Sequence, residues 1–387
     1  LRTAAKSWGW VGVSQFVDGV YAVSGMEWLM SDKSEALKPS TVGLMAALLV
    51  IMVLSILSAV SGVGRGIKYL SNLNLVLSTI LLLTFIIFGS FSFAMTTFGT
   101  GLIDYVLNFI PLSFGAYEPQ SVEVFARSIP EVANALSEED FGAIYSSAMS
   151  PSGSLSVFTD EIPVSITGLD AEALYAAGVQ GRQFGWQVSS TTFYWSWWIA
   201  FSPFVGLFLA RISKGRTIRE FIFGCVFAPA IVCFLWMTIL GGTAIDLEMN
   251  GDAAGSLIAA SDTDKLFATL KQMISGVFLL VITVMCVVMI TTFLVTSADS
   301  GILVMNTIMA GGDQETGIKH RVIWGLILTA VIGTLIIAGS SGVEANPFVA
   351  LQDAMTIGAL PFMIVMLFMM IALVKALSRD IIRAKQG

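Results

Sequence analysis

From Thr41 to Val63 the chain reads TVGLMAALLVIMVLSILSAVSGV, without one charged side chain. A helix of about 20 apolar residues, rising 1.5 Å per residue, crosses the roughly 30 Å hydrocarbon core of a bilayer. Eight segments of this kind occur, at approximately 8–30, 41–63, 74–96, 190–212, 220–245, 272–298, 321–340 and 354–377. In lipid every backbone N–H and C=O has to be satisfied within its own segment, so the expectation is an all-α polytopic membrane protein. A chain that is 56% hydrophobic and only 12% charged falls outside the range of soluble domains.

Lys and Arg orient the spans. They gather at Arg2 and Lys6, at Arg65 and Lys68, from Arg211 to Arg219, at Lys319 and Arg321, and from Arg379 to Lys385. Those are every second connection, while 31–40, 97–189, 246–264 and 341–353 are acidic or nearly neutral. Both ends are therefore expected on the cytoplasmic side of a cell membrane. The net charge of −7 is spread over loops and implies no nucleic-acid partner. Cys225, Cys233 and Cys286 lie in apolar runs and read as small core residues. His320, the single histidine, sits in a loop, which excludes a histidine metal site or proton relay. With no nucleophile–base set and no metal set, the chain does not read as an enzyme.

Four regions follow: spans one to three in 1–96, an acidic outer loop with an interfacial segment in 97–189, spans four to eight in 190–378, and a tail from 379 to 387. In the outer loop, Leu102 to Leu112 reads as the interfacial piece, and Ser137 with Asp140 as a helix cap. Asp18 and Glu27 interrupt the first span. Acids there face a bundle interior and mark an ion or substrate path, or else sit at the rim or pair with another helix. Span two ends in SGVGRG, which lacks both the preceding strand and the Lys-Ser/Thr of a phosphate loop and reads as a hinge.

Two clusters carry chemistry. Tyr194, Trp197, Trp198 and Phe201 fall at i, i+3, i+4 and i+7, placing four rings on one helix face, with Trp195 beside them and Phe204 continuing inward. A ring wall with no carboxylate suits a quaternary ammonium, which has no proton to donate; an interfacial belt or plain aromatic packing gives the same spacing. Pro203 inside this segment removes one backbone hydrogen bond and is expected to free a carbonyl. The sixth span ends in TTFLVTSADSG, where Thr296, Ser297 and Ser300 bunch hydroxyls on one turn. Hydroxyls with backbone carbonyls near a helix break bind Na⁺ in transporters; the same cluster also serves helix packing. Asp299 reads equally as gate, cap or buried partner.

At these two clusters the sequence resembles the betaine/carnitine/choline transporter family. The matching pieces are SAVSGVGRGIKYLSNLN, FYWSWWIAFSPFVGLFLARISKGRTIREF, GGTAI with the following NG, and TTFLVTSADS. The resemblance implies an inverted-repeat secondary transporter of the five-plus-five helix type, with two extra helices before the repeats. About eight of an expected twelve spans would be present, the second repeat opening at the aromatic helix, so an N-terminally truncated chain incapable of transport alone is expected. Position by position, Trp197, Trp198 and Phe201 become part of the substrate cage, with Trp195 on the path. Phe293 (through its carbonyl), Thr296 and Ser297 become half of a sodium site, and Phe204 neighbours a second one. Position 201 is Phe where the betaine-carrier pattern has Trp, and the hydroxyl pair which that pattern places in the first span is not evident.

The function implied is Na⁺-coupled symport of a zwitterionic osmolyte bearing a quaternary ammonium or sulfonium, such as glycine betaine. No cofactor is expected beyond Na⁺ as the coupling ion, and the partners are the bilayer, the substrate and two further copies in a homotrimer. Sodium-independent exchangers of the family carry a fixed Arg in the equivalent of the first span; no Lys or Arg lies between Lys6 and Lys33. An exchanger of the carnitine type and a transporter-like osmosensor are the alternatives.

Overall fold

The computed structural model describes residues 11–31, 38–61, 68–149, 171–251, 253, 255–261, 263–313, 317–340 and 347–386. Helix α1 (Val11–Ser24) stops where Gly25 turns to φ 65°, its N–H bonded to Tyr21 O at 2.8 Å. A left-handed glycine satisfies an end carbonyl at no Cβ cost. A two-residue hairpin follows, β1 (Met30–Ser31) against β2 (Lys38–Pro39), and Ser40 then caps α2 (Thr41–Ser61) by accepting from Gly43 N at 2.9 Å. Next come α3 (Lys68–Phe88), α4 (Phe91–Leu107) and α5 (Phe109–Phe114). The short α6 (Val122–Ser128), α7 (Pro130–Ala135), α8 (Glu138–Ala148), α9 (Ala171–Ala177) and α10 (Val179–Trp186) lead through one π-helical stretch into the aromatic α11 (Phe193–Ile212). The chain continues through α12 (Ile218–Ile222), α13 (Ala228–Met249), α14 (Ser256–Ala259), α15 (Lys265–Met273), α16 (Gly276–Met309), α17 (Ile318–Ser340) and α18 (Pro347–Gln386).

Seven helical stretches among the described residues are long and apolar enough to cross a membrane, beginning at Thr41, Lys68, Val179, Ile218, Gly276, Ile318 and Met355. Two expectations change. The first span, whose residues 8–10 lie outside the described ones, ends at Ser24 rather than near residue 30. The third runs from Lys68 to Phe88 rather than over 74–96, because the helix breaks at Gly89. A Cβ on Gly89 would stand 2.5 Å from Phe85 O and 2.7 Å from Thr243 Oγ1, so backbone and α13 meet there with room for no side chain.

The chain forms two compact units. In the one comprising residues 8–108 and 204–348, α16 is the central element, packed against α1, α2, α3 and α17. Its 34 residues span about 50 Å, and the buried Ile282, Cys286, Met289, Val295, Ile302 and Asn306 recur at helical spacing. The α2 residues Leu44, Leu48, Ile51, Ser55 and Ser58 are the matching buried stripe. On the other side of this unit α4 lies on α13, where Gly242 lets the helices close to Ala94.

The unit comprising residues 109–203 and 349–387 holds the acidic loop. That loop has a buried core of its own, formed by Phe125, Val132, Phe141, Ile144, Ala148 and Leu174. Ser137 does cap α8, accepting from Asp140 N at 3.2 Å. Arg182 lies 3.6 Å from the Tyr175 ring centroid and donates to the Ala148 and Tyr175 carbonyls, closing the ends of α8 and α9. Helix α18 absorbs both the eighth span and most of the expected tail into one 40-residue helix.

Candidate functional site

Within α11 the rings meet as their spacing requires. Trp197 is the hub: its ring centroid lies 6.1 Å from Phe193, 6.3 Å from Tyr194, 6.0 Å from Trp198 and 6.0 Å from Phe201. The Phe201 ring stands at 88° to Trp197, edge to face, and Phe193 is stacked on it at 23°. Such pairs hold one another in a fixed orientation, so the face is pre-formed. Tyr194 and Trp197 are half-buried, whereas Trp198 is 62% and Phe201 44% exposed. Trp195, 68% exposed, touches none of these rings. Phe204 lies one turn beyond Phe201 and is exposed.

Pro203 sits inside α11 as expected, but the carbonyl it leaves unbonded is not free. Ser202 Oγ, on the preceding residue, reaches back to Ile199 O at 2.8 Å and also lies 3.0 Å from Met366 Sδ on α18. The sequence places a hydroxyl beside the proline, and that neighbour supplies the lost donor.

In the other unit α16 shows no break at TSADS; it runs on to Met309. Thr296 Oγ1 lies 3.0 Å from both Thr292 O and Phe293 O, so the Phe293 carbonyl and the Thr296 hydroxyl stand together, with the exposed Ser297 next in the chain. These are the hard oxygen donors that an alkali cation takes. Asp299, fully buried, accepts from Ser58 of α2, which decides among its roles in favour of a buried partner. Thr292 bonds to Asn74 of α3, a pairing that no local pattern announces. Beside it a cavity of about 480 Å³ opens between α2, α3 and α16, lined by Ser58, Ser61, Tyr69, Thr291 and Thr292 among apolar side chains. Asn74 and the cavity escape sequence reading because each depends on a partner far along the chain.

Residues 11–128 and 151–382 match the family described as BCCT, betaine/carnitine/choline family transporter. The chain belongs to that family. It is 31% identical over 86% of its length to the glycine betaine transporter OpuD of Bacillus subtilis, covering 51% of that protein. Over 97% of its length it is 29% identical to a glycine betaine/proline/choline/ectoine transporter of Vibrio parahaemolyticus, covering 56% of it. An ectoine/hydroxyectoine transporter of Virgibacillus pantothenticus is 31% identical over 90% of the chain, again with 56% of that protein covered. The chain thus spans about half the length of the curated relatives it matches. As a family member it is a multi-pass membrane protein rather than an enzyme, and its aromatic helix and its TSADS helix both lie inside the matched regions.

Proposed function

We propose that the protein to which this chain belongs is a Na⁺-coupled symporter of a small osmolyte with a quaternary ammonium centre, glycine betaine being the reference substrate. The observation that carries the proposal is the ring series on α11, in which Trp197 touches four aromatic neighbours and no carboxylate is among them. A permanent cation set over such faces gains roughly 0.5–2 kcal/mol per ring, more as water is excluded. Glycine betaine, proline, choline and ectoine, the solutes in the relatives' names, all carry a positively charged nitrogen centre. Phe201 in the place of a tryptophan presents a smaller face, which weakens the cage and admits a different cation.

Sodium coupling rests on Phe293 O, Thr296 and Ser297, which offer three of the oxygens a dehydrated Na⁺ needs. Binding both solutes shifts the equilibrium between outward- and inward-open states, and the Na⁺ gradient supplies the bias. The alternation of Lys and Arg puts the C-terminal end in the cytoplasm. Uptake of radiolabelled glycine betaine by cells expressing the full-length gene tests the reading. Uptake is expected in Na⁺ buffer, to fall several-fold when K⁺ replaces Na⁺, and to be lost in Thr296→Ala/Ser297→Ala. Equal uptake in both buffers, accelerated by substrate on the opposite side, would make the protein an exchanger instead.

A further inference from the structure

The helix that carries the rings does not begin at Phe193. Residues 179–210 are continuously helical, and a π-helical segment, Gln187–Thr192, joins α10 to α11. Its sequence is QVSSTT, in which Val188, Thr191 and Thr192 are β-branched and the rest of the run is serine, side chains that support an α-helix poorly. A π turn takes in one residue more than an α turn. Every residue after it is therefore shifted by one position, about 100° around the axis, from the phase that α10 would have passed on. Such turns are rare and brief, and they concentrate at functional sites. Here the residues that follow are the rings.

The first residue of the π segment is held from outside the helix, by a piece of chain in the same unit. Gln187 Nε2 donates to Gly115 O at 2.9 Å, and its Oε1 accepts from Tyr117 N at 2.9 Å. One side-chain amide thus closes on two backbone groups. Six residues earlier, Gly181 N donates to Gln120 Oε1 at 3.0 Å, and Gln120 Nε2 donates to Ala177 O at 2.7 Å. Between them Gln180 Nε2 reaches Glu118 O at 3.4 Å. Residues 115–120 therefore run antiparallel to α10 as a strap. The lengths agree: Gly181 to Gln187 rises about 9 Å along the helix, and the three steps from Tyr117 to Gln120 reach about 10 Å at most. Pro119 disfavours a helical turn at Glu118, which keeps the strap open. The Tyr145 hydroxyl donates to Gln120 O and so ties the strap to the buried core around Phe125.

Given the rings' proposed role in osmolyte binding, on which this rests, we infer that Gln187 is a positioning residue for the ring face. With the strap it fixes the π turn, and the extra residue in that turn sets the direction in which Tyr194, Trp197, Trp198 and Phe201 point. Without the strap the segment relaxes to an α-helix and the rings turn by about 100°. Ser202 then leaves Met366, whose Sδ lies 3.0 Å from its hydroxyl.

Two measurements on the full-length protein test this. One is glycine betaine affinity in Na⁺ buffer, read by tryptophan fluorescence. The other needs no osmolyte: with Cys225, Cys233 and Cys286 replaced by Ala, Ser202→Cys/Met366→Cys is joined by a short bifunctional thiol reagent and the linked peptide is quantified by mass spectrometry. Gln187→Ala is expected to weaken binding by roughly tenfold and to cut the cross-link yield several-fold. Deleting Ser190 in the Gln187→Ala background removes the extra residue, makes the segment α-helical with the rings back in phase, and should restore both. A merely structural defect would deepen with the deletion instead. An affinity or a cross-link yield that Gln187→Ala leaves unchanged, or that the deletion fails to restore, overturns the proposal. A wild type that binds no glycine betaine, with a cross-link that still falls and recovers, sinks the osmolyte reading and leaves the strap's hold on the rings standing.

Discussion

At the scale of single residues, Trp197 and Ser58 bear the sharpest expectations. Replacing Trp197 by Ala removes the ring that orients four others, and the apparent affinity for glycine betaine should fall by roughly tenfold or more, with Trp197→Phe intermediate; equilibrium binding measures both. Ser58→Ala takes the α2 donor from the buried Asp299, leaving it only its neighbour Ser300 at 3.3 Å. The unfolding free energy should drop by about 1–3 kcal/mol, and a Ser58→Ala/Asp299→Leu pair should recover part of the loss. The ring face was legible in the sequence because i, i+3, i+4 and i+7 on one helix fix neighbours within a single element. The Ser58–Asp299 and Asn74–Thr292 pairs were not, since both join residues more than two hundred positions apart.

At the scale of helices, hydropathy located the spans but not their ends. It counts apolar side chains and is blind to a backbone that turns at Gly89 or continues past Asp299, so the third span was set too late and the sixth too short. The same blindness made Pro203 look like a source of a free carbonyl. Ser202→Ala should therefore cost about 1 kcal/mol or more beside Pro203 but less in a Pro203→Ala background, where the backbone N–H returns; a double-mutant cycle of melting experiments gives the difference. Gly89→Ala forces a methyl group onto Phe85 O and Thr243 and should destabilise by about 1–3 kcal/mol, seen in the same melting assay.

At the scale of the whole molecule, the bilayer decides class and the clusters decide use. The all-α membrane class followed from eight apolar stretches and stands with seven long ones among the described residues, α1 being the described part of the remaining one. The acidic loop was harder to read. Its apolar residues are few, and only in the fold do Phe125 and Leu174 find each other in a core. Phe125→Ala should cost about 3–5 kcal/mol there, exposing residues 118–149 to protease while helices of the other unit stay protected. Above all, the ring faces on α11 are proposed to select a permanent positive charge. The most direct measurement is competition against glycine betaine by its isostere 3,3-dimethylbutanoate, which keeps the shape and the carboxylate and replaces the quaternary nitrogen by an uncharged carbon. The account predicts that the isostere competes at least about tenfold more weakly, a gap that narrows in Trp197→Ala; equal competition by the two would contradict it.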